Sequence, residues 1–159
     1  KPVFDQLRRT RGRVPGMYRT LAQQPAVLAA HRAYFHAALD TGVLPRPFKE
    51  KIAFKVARVR ESPYCTGSHR SYALKHGVTG GELEAIDRSD YRALDPREAA
   101  ALEFAEAMTR SRGAVEARLV DQLKAHYAAN EIVEIAALVG VMDLACTLAA
   151  TFGLEPDEN

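Results

Sequence analysis

The sequence has 159 residues, 47% of them hydrophobic, which suits one domain able to bury a sizeable core. Its 22 basic and 20 acidic residues leave a formal charge of only +2, so nothing global draws the chain to nucleic acid or to an acidic surface. The basic run Arg8, Arg9, Arg11 and Arg13, within an arm over residues 1–15, has no recognition motif or interleaved aromatics and reads as solvated.

Breakers divide the rest into helices. Gln24-Pro25 and Leu44-Pro45 bound the first long one, where Val27, Leu28, Phe35 and Leu39 recur at helical spacing and Gly42 stands as the stop. From about Pro47 to Arg60, Phe48, Ile52, Val56 and Val59 form one stripe, and Glu50, Ala53, Phe54 and Ala57 a second. That pattern predicts a helix covered on two faces. Ser62-Pro63 has the form of an N-cap followed by proline at the first helical position, and opens a helix closing at Gly77. Thr79-Gly80-Gly81-Glu82 and Asp95-Pro96-Arg97-Glu98 have capping-box spacing and predict two further starts, the second helix ending at Gly113. Val115, Leu119, Leu123 and Tyr127 keep the period, and Asn130 is placed to cap a last helix running toward Gly153. Residues 132–154 are very apolar, but Glu134 and Asp143 interrupt them and Gly140 and Gly153 loosen them, so a buried helix is expected there, not a membrane span. With no alternating β-branched run and no internal repeat, the expected fold is all-α, one helical domain over residues 1–159.

Two widely separated cysteines, Cys65 and Cys146, make no disulfide framework and suit a reducing cytoplasm; no charged-then-apolar leader opens the sequence. On a helix starting at Pro63, Cys65 lies in the first turn, where free N–H groups and the helix dipole favour a thiolate. His69 follows one turn later on the same face, able to hydrogen-bond the thiol or carry its proton, with Tyr72 and His76 continuing the stripe. The competing reading treats Cys65 as a small buried hydrophobe. Tyr72 and His76 read as packing or capping residues. His31, His36 and His126 have no partner at a telling spacing and form no metal site with the others. Glu50 sits among alanines, away from Lys51, Lys55 and Arg58; burial there would raise its pKa for acid–base work, while the alternative is an interface ion pair. Asp143 reads as buried and paired, and Cys146, within Leu144-Ala145-Cys146-Thr147-Leu148, as inert.

Glu50, eleven intervening residues, and Ser62-Pro63-Tyr64-Cys65-Thr66-Gly67-Ser68-His69 resemble the signature of the AhpD-like, carboxymuconolactone decarboxylase superfamily. Arg13-Val14-Pro15-Gly16-Met17-Tyr18 near the start, and Asn130-Glu131-Ile132-Val133-Glu134-Ile135 with Phe152-Gly153-Leu154-Glu155-Pro156 near the end, are similar to its flanking patterns. The resemblance implies an AhpD-like orthogonal helical domain in a homotrimer or homohexamer. It also implies a thiol-dependent, alkylhydroperoxidase-like activity, with Cys65 attacking the peroxide and Glu50 and His69 relaying protons. Ser62 stands where that family's first cysteine belongs, and Tyr64 where a second histidine can occur, so both become supporting residues and the reductant must be an outside thiol or another cysteine. A decarboxylase branch would use Glu50 and His69 on a lactone acid with Cys65 as a bystander; Arg58, Arg60 and Arg70 lie near the motif, none marked out by spacing. A noncatalytic oligomer is the third reading. Small-molecule substrate and self-association are the expected partners; no metal, nucleotide or flavin is implied.

Overall fold

The computed structural model describes residues 2–12 and 14–156. Arg13 and the side chain of Arg11 lie outside the described residues, so of the basic run only Arg8 and Arg9 can be placed. They project into solvent from a helix, α1 (Pro2–Arg11), whose Leu7 is buried in the core. Among the described residues the arm is helical over Pro2–Arg11 and is attached through Leu7 and Val14, with Phe4 packed against the same core.

Eight further helices follow: α2 (Gly16–Leu21), α3 (Pro25–Phe35), α4 (Arg46–Val59), α5 (Pro63–Lys75), α6 (Gly80–Asp87), α7 (Pro96–Arg110), α8 (Ala117–His126) and α9 (Ala129–Thr151). No strand occurs among the described residues. The stop signals act as the sequence predicts at Gly42, Gly77, Gly113 and Gly153, all at positive φ. The first long segment does not stay α-helical to its end: its last turn, His36–Asp40, widens to a π-helical turn before Gly42. Thr79 and Glu82 form the expected capping box. At Asp95 the second box does not form, because the carboxylate of Glu98 is drawn to Lys51, and Asp95 caps Arg97 N–H instead at 2.8 Å. Asn130 does not cap α9, which begins one residue earlier, with Glu131 accepting the Ala128 N–H at 2.8 Å.

Helix α4 is the hub, packed against α5, α6, α7 and α9. Its two apolar stripes are covered as expected, with Ile52, Ala53, Val56 and Ala57 fully enclosed. Its lysines are buried as well, which the contrast with Glu50 did not foretell: Lys49, Lys51 and Lys55 are each under 7% exposed. A buried ammonium needs an opposing charge. Lys49 meets Glu134 of α9, Lys51 meets Glu82 of α6 and Glu98 of α7, both at 2.7 Å, and Lys55 meets Glu106 of α7 at 2.8 Å. Helix α9 is long and apolar enough to cross a membrane, but here it is a core helix, burying Ile135, Leu138, Val139, Val141, Met142, Ala145, Cys146 and Ala149. Asp143 is paired, with Arg60 at 3.2 Å, yet its side chain is 45% exposed and not buried as expected.

The turn into α4 depends on Gly42. Its φ of +99° disfavours any L side chain, and a Cβ would overlap the carboxylate of Glu134, which accepts the Val43 and Leu44 N–H groups and pairs with Lys49. Replacing Gly42 by Ala is expected to destabilise the protein by about 1–3 kcal/mol. Urea unfolding measures this directly, and an unchanged midpoint would contradict it.

Candidate active site

The site is assembled at the junction of α4 and α5. Helix α4 ends at Val59, and the turn through Glu61, a non-glycine residue at φ +50°, delivers Ser62 as the N-cap of α5. Ser62 Oγ accepts the Cys65 N–H at 3.4 Å and Pro63 fills the first helical position, so Cys65 sits in the first turn as the sequence predicts. Cys65 is 3% exposed. His69, one turn on, is also buried, and its Nδ1 lies 2.7 Å from Glu50 Oε2.

Glu50 is fully enclosed within this one chain, not at an interface between chains. Its Oε1 accepts two hydrogen bonds from Arg46, Nε at 2.8 Å and Nη2 at 2.6 Å. Burial pushes its pKa up, but the hydrogen bond and charge of His69 and the charge of Arg46 outweigh it, so the carboxyl is held below its ordinary range. This reverses the expected rise. Glu50 is thus held toward its ionised form, in which it orients the imidazole. Because an ionised carboxylate only accepts, His69 Nδ1 is the donor, and Nε2 is the ring nitrogen left for proton transfer.

The sulfur chemistry contains a partner that spacing did not reveal. Cys146 on α9, read from sequence as inert, is close enough to Cys65 for each thiol to act on the other's proton, and Ser62 acts on both. The Cys146 thiol, set against the cost of burial and helped by Ser62 and the charge of His69, holds the Cys65 thiol down to about 6. Cys146 itself is pushed far up by its bond to Cys65, by burial and by the neighbouring negative charge, and stays a protonated donor. Both cysteines are free thiols.

A small cavity opens onto this group, lined by Met17, Tyr18, His31, Phe35, Leu39, Arg46, Tyr64, Cys65, His69 and Tyr72. Tyr64 takes part structurally: its hydroxyl accepts the Met17 N–H at 3.1 Å, which ties α2 over the mouth. Two lining residues escaped the sequence. Arg46 lies a helical turn before Glu50, a spacing that could have flagged it, and is also paired with Asp40. His31 offered no signal, since its neighbours are distant in sequence. It stacks on Phe35 at 5.8 Å, is 8% exposed, and neither ring nitrogen has a hydrogen-bond partner. Burial lowers its pKa, so it faces the cavity as a neutral imidazole.

Other sequence candidates fall outside. His36 pairs with Asp40 at the surface, His76 is exposed at the end of α5, and His126 is exposed at the end of α8. Arg58 pairs with Asp87, Arg60 with Asp143, and Arg70 is exposed. Tyr72, expected only to pack or cap, reaches the cavity wall. Among the described residues no three His, Cys, Asp or Glu side chains converge as a metal site requires. A wider open depression around Arg88, Ser89, Asp90, Tyr91 and Arg92 holds neither thiol nor imidazole.

The family model of the carboxymuconolactone decarboxylase family matches residues 25–107, which take in Glu50, Ser62, Cys65 and His69. Among solved structures, a peroxidase-related protein from Silicibacter sp. TM1040 superposes with a TM-score of 0.89 at 23% identity, covering 98% of this chain and 83% of that one. The AhpD-core, peroxidase-related protein from Ralstonia eutropha JMP134 gives 0.88 at 22% identity, over 99% of this chain and 84% of that one. A cysteine-to-alanine variant of the debrominase Bmp8, in complex with 2,3,4-tribromopyrrole, gives 0.87 at 22% identity over the same shares. At these identities the likeness is one of fold. No match is found among curated proteins.

The pH dependence of Cys65 alkylation by iodoacetamide, read from its tryptic peptide, should have its midpoint near about 6. Replacing Cys146 by Ala removes the first-ranked cause of that depression and should move the midpoint upward. A wild-type midpoint in the ordinary thiol range, near about 8.5, would disprove the activated thiolate.

Proposed function

This chain belongs to the carboxymuconolactone decarboxylase family, with the AhpD-like all-helical fold, and on that premise we propose that it is a thiol-dependent peroxidase acting on small organic hydroperoxides. One observation carries the reading: a cavity reaches a buried cysteine whose thiolate is favoured, beside a histidine oriented by an ionised glutamate. The Cys65 thiol gives its proton to His69 Nε2; the thiolate attacks the distal peroxide oxygen, the S–O bond forms, the O–O bond breaks, and the alkoxide leaving group takes that proton from Nε2. Glu50 keeps that imidazole in place and fixes which ring nitrogen faces the cysteine. The Ser62 hydroxyl assists the thiolate, and Tyr64 shapes the wall.

His31 points to the class of substrate. A buried neutral imidazole without a partner gains a hydrogen bond when an O–H or oxygen acceptor enters, while Phe35, Met17, Tyr18 and Tyr72 offer apolar surface to an organic group. The lactone-decarboxylase reading needs a cation free for the substrate carboxylate. Arg46 is the cavity arginine, and its guanidinium is engaged by Glu50 and Asp40, which weighs against it. Self-association belongs to the proposal as well: Val133 and Leu144, three turns apart on one face of α9, are 67% and 44% exposed. Sedimentation of the purified protein as a monomer would remove that part.

With cumene hydroperoxide and a dithiol reductant, Cys65→Ser should abolish turnover and His69→Ala should lower it by roughly 10²- to 10⁴-fold. Glu50→Gln should act in the same direction. His31→Phe should raise KM more than it lowers kcat. Full peroxide turnover by Cys65→Ser, or decarboxylation of a lactone acid that survives Cys65→Ala, would sink the peroxidase reading.

A further inference from the structure

We propose that Cys146 is the resolving thiol for Cys65, so that the chain completes an internal dithiol cycle through a disulfide bridging α5 and α9. The inference rests on the peroxidase reading and names the step that follows it. The two cysteines sit on helices packed against each other, Ala145 beside Cys146 lines the same cavity as Cys65, each thiol acts on the other's proton, both are at most 3% exposed, and they are the only cysteines in the sequence. Their positions are unequal. Cys65 lines the cavity, whereas Cys146 does not. Peroxide therefore meets Cys65 first, and the nucleophile nearest the resulting sulfenic acid is Cys146.

The balance closes without another oxidant. Attack on ROOH leaves Cys65 as the sulfenic acid and releases ROH, a two-electron oxidation of sulfur. The Cys146 sulfur then attacks the Cys65 sulfur; the S–S bond forms, the S–O bond breaks, and the hydroxyl leaves as water with the Cys146 proton. A dithiol reductant entering the cavity attacks the Cys65 sulfur, the cavity-lining member of the pair, and restores both thiols.

The order is enforced electrostatically. While Cys65 is a thiolate, its negative charge and hydrogen bond keep Cys146 protonated and unreactive. Conversion of Cys65 to the neutral sulfenic acid removes that charge, and with it one of the causes holding the Cys146 proton in place. Ser62 cannot take over the role, since a hydroxyl beside the sulfenic acid gives no disulfide; its contact with both sulfurs positions them instead.

The test treats the fully reduced protein with one equivalent of cumene hydroperoxide, blocks remaining thiols with iodoacetamide, and maps the peptides by mass. The expected result is one disulfide joining the Cys65 and Cys146 peptides within a single chain, with both thiols lost together. Cys146→Ser and Cys146→Ala, each checked for native circular dichroism, should instead hold Cys65 as a dimedone-reactive sulfenic acid that proceeds to sulfinic acid with more peroxide. If wild-type Cys65 is oxidised while Cys146 remains alkylatable, or if Cys65 bridges to a second chain, the resolving role is overturned and the peroxidase reading stands. If Cys65 is not oxidised at all, both fall.

Discussion

A carboxylate with no solvent exposure cannot remain charged unless other groups replace its water, and Glu50 is such a carboxylate. Meeting that requirement organises the centre of the molecule. Arg46 comes from the turn before it on α4 and His69 from α5, and together they occupy both carboxylate oxygens. His69 is thereby fixed beside Cys65, and Arg46 is fixed against Asp40 at the end of the π-helical turn. The result is a line of alternating charge, Asp40, Arg46, Glu50 and His69, running from the edge of the fold to the cavity. Removing Glu50 would leave a partly buried guanidinium with Asp40 alone and an unoriented imidazole at once, so the same contact serves stability and chemistry.

The sulfur side of the cavity is built on a different principle. Neither burial nor the position of Cys65 at a helix start is sufficient for a strongly favoured thiolate, since burial works against the charge. The deficit is met mainly by the thiol of Cys146, supplied by a helix that also forms the apolar core. Specificity and reactivity are thus divided between elements: α2 and α3 bring apolar and aromatic surface with an unsatisfied imidazole, while α4, α5 and α9 bring charge and sulfur.

Local chemistry made much of this legible in advance. Proline, glycine and capping residues mark helix ends because their backbone preferences act within a few residues, and Ser62, Thr79, Gly42 and Gly77 all behave accordingly. Helical spacing put Cys65 and His69 on one face, and the motif's resemblance added Glu50. What could not be read depends on contacts between distant segments. Cys146 is one of many small residues on an apolar helix until α9 docks against α5. His31 is one of three histidines with no partner at a telling spacing until α3 closes the cavity. The pKa of Glu50 falls instead of rising because Arg46, which the motif does not include, shares the burden with His69. Asn130 and Glu98 had the right local form for capping, but a neighbouring residue or a buried lysine claimed the position or the side chain.

The three buried lysines of α4 bear on how the centre keeps its alignment. A helix sheathed only in aliphatic side chains can turn about its own axis at little cost, because one apolar surface substitutes for another. Lys49 leaves the axis on one side and ends on a glutamate of α9, while Lys51 and Lys55, a turn apart on another side, end on glutamates of α6 and α7 and of α7. A rotation of α4 by a single residue would strand all three ammonium groups in apolar surroundings together. The ion pairs therefore act as keyways that admit one azimuth of the helix, the one in which Glu50 points at His69, and the aim of the carboxylate is set by charges that never touch the cavity.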